Sequence, residues 1–179
     1  MTRKSNLVKL LLLALIVGVA LRLALHQRGP QPVGIGETAP DFVLPALGSG
    51  SISLREHRGQ VVLVNFWATW CPPCVEETLG LEKFAEEVRN QGVTVLSVSV
   101  DTDGAALQSF ATQNRLSFLI ARDPSRAVAS RYGTIQFPET YILDREGRVA
   151  EKIIGAADWG DPRILTFVQE LARGAPSGK

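Results

Sequence analysis

The apolar positions of the chain predict alternating strands and helices. The nearly unbroken apolar run 61–67 predicts a strand buried on both faces, and 93–100 predicts a second buried strand. Shorter apolar stretches predict strands at 42–44, 51–54, 116–120, 140–143 and 148–154. Helical spacing with capping residues predicts helices at 75–91, 103–114, 123–132 and 161–174. This order indicates an α/β domain with a central mixed β-sheet flanked by helices.

An apolar segment precedes this domain. Arg3, Lys4 and Lys9 lead into the uninterrupted apolar run 10–21, and 7–25 is long enough to cross a bilayer that needs about 20 residues. We predict an uncleaved signal-anchor, with a removed secretion signal as the alternative. In both cases the basic residues stay inside and the domain is exported. The predicted parts are a signal-anchor at 1–25, a linker at 26–35, a domain at 36–174 and a tail at 175–179.

Composition narrows the possible functions. The 179 residues are 45% hydrophobic, which allows one domain with a substantial core. The formal net charge is +1 and the charges are interspersed, so a nucleic-acid partner is not expected.

The candidate chemistry lies directly after the first buried strand. Cys71 and Cys74 are the only cysteines, and their spacing of three suits a disulfide on one face of a helix. A helix that starts there stabilises the thiolate of the first cysteine, and the thiolate is the form that attacks disulfides. Pro72 and Pro73 fit the first helical turn. The pattern predicts a redox-active pair.

Two other uses of this cysteine pair are less favoured. A zinc site needs four ligands, and neither His26 nor His57 stands at zinc-ligand spacing from the cysteines, so no metal site is predicted. A purely structural disulfide would close a very small loop and contribute little chain entropy. Redox activity is the interpretation that the spacing favours.

Three motifs are similar to those of a known group. They are residues 36–42, residues 65–74 with the cysteine pair, and residues 137–144. On these motifs the chain resembles the membrane-anchored thioredoxin-like reductases of the TlpA/ResA group, and also the cytochrome c maturation protein CcmG (DsbE). The resemblance spans roughly 36–173 and implies a thioredoxin-like fold.

The resemblance also implies roles for individual residues. Cys71 matches the exposed attacking cysteine, Cys74 matches the resolving cysteine, and Pro138 matches the cis-proline that faces the disulfide. Glu77 matches an acidic residue that would exchange protons with Cys74. Asn65 stands where cytosolic thioredoxins keep a buried Asp.

The same comparison places residues around a substrate groove. Trp70 is expected to shield Cys71, and Phe137 is expected to narrow the groove beside Pro138. Pro72 and Pro73, between the cysteines, are expected to tune the reduction potential. These four residues and Pro138 form the predicted substrate-binding set.

The resulting expectation is an exported protein-disulfide reductase without a bound cofactor, on the outer face of the inner membrane. The group implies apocytochrome c or another exported disulfide protein as substrate, and a membrane electron relay of the DsbD/CcdA type as donor. An oxidase remains an alternative, because thioredoxin folds span a wide range of potentials.

Two alternatives come from other functional classes. A peroxiredoxin-like peroxidase shares the opening 39–42, but its P-x-x-x-[ST]-x-x-C pattern precedes neither Cys71 nor Cys74. A copper-delivery module of the Sco type uses C-x₃-C with a distant His, whereas this chain has C-x₂-C.

Overall fold

The computed structural model describes residues 12–22 and 32–174, and the chain divides into two units, 1–31 and 32–179. In the first unit residues 12–22 are helical, with their large apolar side chains exposed. No helix in the described residues is long and apolar enough to cross a membrane. The predicted signal-anchor and linker lie partly outside the described residues and the tail wholly outside, so these boundaries stay predictions.

Residues 32–174 of the second unit contain seven strands. They are β1 (Val43–Pro45), β2 (Ser51–Ser53), β3 (Val61–Trp67), β4 (Val93–Ser99), β5 (Leu119–Arg122), β6 (Glu139–Leu143) and β7 (Val149–Ile154). β1 and β2 form an antiparallel pair, and the others form one sheet in the order β5-β4-β3-β6-β7. β3, β4 and β5 run parallel, whereas β6 and β7 are antiparallel to their neighbours. The predicted mixed sheet is confirmed.

Four α-helices cover both faces of this sheet. They are α1 (Pro72–Val88), α2 (Gly104–Gln113), α3 (Ala127–Tyr132) and α4 (Pro162–Ala172). β3 shows that both faces of the sheet are covered, because all seven of its residues are buried. Successive side chains of a strand point to opposite faces of the sheet. Val62 and Val64 pack in the cluster that contains α2 and α3, while Val61 and Leu63 pack in the cluster that contains α1 and α4.

Several element boundaries differ from the prediction. The helix predicted at 75–91 is α1, which begins earlier because Pro72 and Pro73 occupy its first turn. The strand predicted at 116–120 is displaced to β5, because the amide of Leu116 donates to Ala111 O and closes the end of α2. The last residue of the strand predicted at 51–54 instead begins a short 3-10 helix, Leu54–His57.

Two adjacent strand ends position the candidate site. Phe66 in β3 pairs with Glu139 in β6, so the loop after β3 adjoins the segment before β6. The buried Asp101 fixes the first of these loops, since its carboxylate accepts hydrogen bonds from the amide and hydroxyl of Thr69. The cysteine pair therefore starts α1 directly beside residues 137 and 138.

Candidate active site

Cys71 and Cys74 form a disulfide across the first turn of α1. Their Cα atoms are 5.3 Å apart, within the usual range for disulfides. Cys71 is the N-cap residue, in an extended conformation, and Pro72 and Pro73 follow it as exposed residues. Cys71 is 6% exposed and Cys74 is 0% exposed. A substrate approaching from solvent therefore reaches the sulfur of Cys71 and not that of Cys74.

The helix start provides electrostatic stabilisation for a thiolate. The first amides of an α-helix lack intrahelical partners, and the aligned peptide dipoles leave partial positive charge at this end. α1 is 17 residues long, and its first turn contains no acidic residue. A negative sulfur on Cys71 is therefore favoured, which is the state needed for attack on a disulfide.

A cis-proline lies against the disulfide. The peptide bond between Phe137 and Pro138 is cis, which confirms the prediction made from the resemblance. The carbonyl oxygen of Phe137 lies 3.6 Å from Sγ of Cys71. Main chain therefore passes directly beside the sulfur of Cys71, the more accessible of the two cysteines.

Aromatic side chains border the same sulfur. Trp70 is 56% exposed, and its ring meets the ring of Phe137 edge-to-face at 6.1 Å between centroids. Trp67, by contrast, is buried and packs on Phe110. The rings of Trp70 and Phe137 thus form an apolar rim beside the disulfide.

Glu77 is buried in the same helix as the cysteines. It lies three residues after Cys74, which places both side chains on one face of α1. Its Oε1 accepts a hydrogen bond from Asn65 Nδ2 at 3.0 Å, and its Oε2 accepts from the amide of Ala157 at 2.8 Å and from Trp159 Nε1 at 3.3 Å. The role that the resemblance implies for Glu77, proton exchange with Cys74, stays a prediction.

Burial controls the protonation of this carboxyl. Removal from water disfavours the charged form and raises the pKa of Glu77, while the hydrogen bonds from Ala157, Asn65 and Trp159 oppose that rise. The result is a carboxyl that exchanges its proton at higher pH than a solvated glutamate. Such a group suits proton transfer to and from a neighbouring sulfur.

Two partners of Glu77 were not expected from the sequence. Ala157 and Trp159 lie in the loop before α4, and each is at least 80 residues away from Glu77 along the chain. Trp159 is buried and packs on Phe84 at 5.4 Å between ring centroids. The only sequence feature near these two residues is that Trp159 stands two residues before Asp161, the cap of α4. This feature does not indicate a contact with α1.

Arg126 is a further neighbour that the sequence did not indicate. Its guanidinium carbon lies 5.6 Å from the ring centroid of Trp70 and 5.6 Å from that of Phe137. Both distances are within the range of cation–π contacts.

Metal ligands are not gathered at this site. Within residues 12–22 and 32–174, no three His, Cys, Asp or Glu side chains converge as a metal-binding group. The chemistry that the described residues bring together is that of a dithiol and a buried carboxyl.

Comparisons with known proteins agree along most of the chain. Residues 35–152 match the AhpC/TSA family. The chain is 30% identical over 156 residues to the thiol-disulfide oxidoreductase ResA of Bacillus thuringiensis (strain Al Hakam), which covers 86% of this chain and 90% of that protein. It is 37% identical over 123 residues to ResA of Geobacillus thermodenitrificans (strain NG80-2), covering 69% and 71%.

A solved structure gives the same picture of the fold. The crystal structure of a Chlorobium tepidum protein described as thiol:disulfide interchange protein DsbE superposes with a TM-score of 0.72 at 29% sequence identity. It covers 79% of this chain and 99% of that one. The chain therefore belongs to the AhpC/TSA family and is a TlpA/ResA-like thiol-disulfide oxidoreductase of thioredoxin-like fold.

Proposed function

We propose that the protein is an exported, membrane-anchored reductase of protein disulfides. One observation carries the proposal: the more accessible sulfur of a helix-capping cysteine pair lies against the main chain before a cis-proline, while a buried carboxyl follows on the same helix. The sulfur supplies the nucleophile, the main chain supplies a place for the substrate, and the carboxyl supplies a proton acceptor.

The first step forms a mixed disulfide. The thiolate of Cys71 attacks one sulfur of the substrate disulfide, a new S–S bond forms, and the substrate S–S bond breaks. The departing substrate sulfur leaves as a thiolate and takes a proton from solvent. The substrate chain lies extended along residues 137 and 138, as in other cases of strand addition.

The second step releases the reduced substrate. Cys74 is buried, so its thiol gives its proton to the carboxylate of Glu77 rather than directly to water. The Cys74 thiolate then attacks Sγ of Cys71, and the mixed disulfide breaks with a second substrate thiolate as leaving group. This second thiolate takes up the proton that Glu77 accepted from Cys74, directly or through solvent. With the proton taken from solvent in the first step, the substrate gains two electrons and two protons, and the protein ends as the Cys71–Cys74 disulfide with Glu77 ionised again.

The proposal includes a location for the domain, an electron donor and a substrate. The apolar N-terminal segment would tether residues 36–174 outside the inner membrane, in the periplasm or an equivalent space. A relay of the DsbD/CcdA type would re-reduce the pair, and apocytochrome c is the proposed substrate. Protease added to spheroplasts should digest the domain, and its protection would contradict this location.

The AhpC/TSA match is a reason to test peroxidase activity as well. Residues 39–42 resemble the peroxiredoxin opening, yet neither Cys71 nor Cys74 is preceded by the threonine or serine of the peroxidatic pattern. We therefore expect no peroxide consumption above that of the free dithiol. Copper delivery is not favoured, because this chain has C-x₂-C where the Sco type uses C-x₃-C with a distant His.

Trapping tests the assignment of the two cysteines. Pre-reduced Cys74→Ser should accumulate a mixed disulfide with an oxidised peptide, whereas Cys71→Ser should form none, because its remaining thiol is buried. Mass spectrometry after acid quenching reads both results. Equal trapping by both variants would overturn the assignment.

The reduction potential tests the direction. Equilibration with glutathione should give a value closer to about −270 mV, as in reducing thioredoxins, than to about −120 mV, as in DsbA. A reduction potential near about −120 mV would instead indicate that the protein oxidises its substrates.

A further inference from the structure

A positive charge stands over the aromatic rim beside the disulfide. The guanidinium of Arg126 lies 5.6 Å from both the Trp70 and the Phe137 ring centroids, and Arg126 itself is exposed. The main chain of Phe137 in turn touches the attacking sulfur of Cys71. Arg126 is thus one side chain away from the place where a substrate disulfide must lie.

The backbone holds Arg126 in one position. Its φ of 57° is in the left-handed region, which non-glycine residues adopt uncommonly. Its amide donates to the carbonyl oxygen of Asp123, and the Asp123 carboxylate accepts from the amides of Ala127, Val128 and Ala129 just beyond it. The loop backbone is therefore fixed on both sides of Arg126.

The charge of Arg126 is not neutralised by a neighbour in the described residues. None of the three ion pairs in that part of the chain includes Arg126. The nearest acid in sequence, Asp123, is buried and committed to the start of α3. An arginine whose face rests on aromatic rings keeps its N–H groups for a planar, two-oxygen partner such as a carboxylate.

We propose that Arg126 is a specificity-determining residue, which selects disulfide-bearing polypeptides with an Asp or Glu close to the attacked cysteine. This inference rests on the proposed function, since it assigns the substrate class of the same site. The rings of Trp70 and Phe137 contact the apolar part of the substrate chain, and Arg126 pairs with the carboxylate. Among substrate side chains, a carboxylate best complements this group in charge and in the placing of its two oxygens.

The test compares three oxidised peptides that differ in one residue next to the cysteine: Glu, Gln or Lys. The full chain, pre-reduced and freed of reductant, reacts with each peptide in single turnover, and acid quenching gives the second-order rate constant. At low salt the wild type should reduce the Glu peptide about three- to fivefold faster than the Lys peptide, as expected for one exposed charge pair. Salt near about 0.5 M should remove most of this preference.

Variants of Arg126 should change the preference and not the chemistry. Arg126→Gln should bring the three rates together, and Arg126→Glu should favour the Lys peptide. Arg115 provides a matched control, because it is also an exposed arginine with positive φ, at 53°, but lies at the end of α2. Arg115→Gln should keep the wild-type preference.

The outcomes separate this inference from the proposed function. If Arg126→Gln slows all three peptides by the same factor, the arginine acts on the sulfur and the inference is wrong. If the wild type shows no charge preference, the inference is also wrong, although reduction itself stands. If no peptide is reduced by the wild type, the proposed function fails first.

Discussion

At the scale of single residues, Glu77 and its donors form a network that tolerates one particular substitution. Glu77→Gln would keep an oxygen for Ala157 and Trp159 and place an amide group opposite Asn65. Asn65 also donates to Thr140 Oγ1 at 3.0 Å, so a flip of the Asn65 amide lets its oxygen accept from both the introduced amide and the Thr140 hydroxyl. Every hydrogen bond is then remade without a titrating group.

Glu77→Gln should therefore change the pH dependence of resolution and leave the fold intact. In the wild type the step at Cys74 should speed up as Glu77 loses its proton, and the raised pKa of Glu77 should place this rise above the usual range of a glutamate. The variant should lose that inflection. Quenched-flow measurement of mixed-disulfide decay across pH reads the effect. The exposed neighbour Glu76→Gln is the control, and an unchanged profile in Glu77→Gln would remove Glu77 from the mechanism.

Trp159→Phe tests the same carboxyl from its donor side. Phenylalanine keeps an aromatic ring against Phe84 but removes the N–H that donates to Glu77 Oε2. Loss of a donor to the charged form raises the pKa of Glu77 further, so the inflection in mixed-disulfide decay should move to higher pH. Leu165→Ala, a change in α4 outside this network, should leave the inflection in place. A shift to lower pH in Trp159→Phe would contradict the assigned hydrogen bond.

At the scale of elements, two aspartates accept hydrogen bonds from the first backbone amides of helices, but one aspartate is exposed and the other is buried. Asp103 is exposed and its Oδ1 accepts from the amides of Ala105 and Ala106 at the start of α2. Asp123 is buried and accepts from three amides at the start of α3. Loss of the buried acceptor leaves amides that water cannot reach, and such groups cost more when unpaired.

Asp123→Ala should therefore destabilise the protein more than Asp103→Ala. We expect a loss of about 1 kcal/mol in the free energy of unfolding for Asp103→Ala, the usual cost of an N-cap. For Asp123→Ala we expect roughly 2–4 kcal/mol, from several unsatisfied buried donors. Urea unfolding of the oxidised protein measures both. Equal losses would show that the buried amides of α3 find other partners.

The elements also show what local sequence can and cannot predict. β3 has the bounds that its apolar run predicted, because burial on both faces leaves a continuous signal. The helix caps Asp103 and Asp161 were predictable because capping is a local interaction. β5 begins later than the predicted strand at 116–120, because its bounds depend on pairing with β4. The sequence of one strand does not show which residues of another strand it will pair with.

The candidate site divides in the same way. Cys71 and Cys74 stand in one local motif, so their spacing alone indicated a redox pair, whereas the cis-proline at Pro138 was expected only through the resemblance. The donors Ala157 and Trp159 and the cation Arg126 reach the site only through tertiary packing. Their residue types and spacing carry no chemical pattern, so their place at the site depends on the folded chain.

At the scale of the whole molecule, the buried Glu77 and the half-buried His57 make stability depend on pH in opposite directions. Burial raises the pKa of Glu77, so between the unfolded and folded values the native state binds more protons and stability falls as pH rises. Burial lowers the pKa of His57, with Glu56 opposing, so below its unfolded value the native state binds fewer protons and stability rises with pH. The wild-type curve alone therefore mixes the two contributions.

The difference between wild type and Glu77→Gln isolates the carboxyl, because His57 contributes equally to both. The stability of the wild type relative to the variant should be greatest below a glutamate's usual pKa of about 4.5. It should decrease as pH rises through the folded pKa of Glu77 and then stay constant, because both states are ionised above it. Urea unfolding of the oxidised proteins from about pH 4 to about pH 8 measures this difference. A relative stability that increases with pH would mean that the three hydrogen bonds outweigh burial, and that Glu77 enters each catalytic cycle already charged.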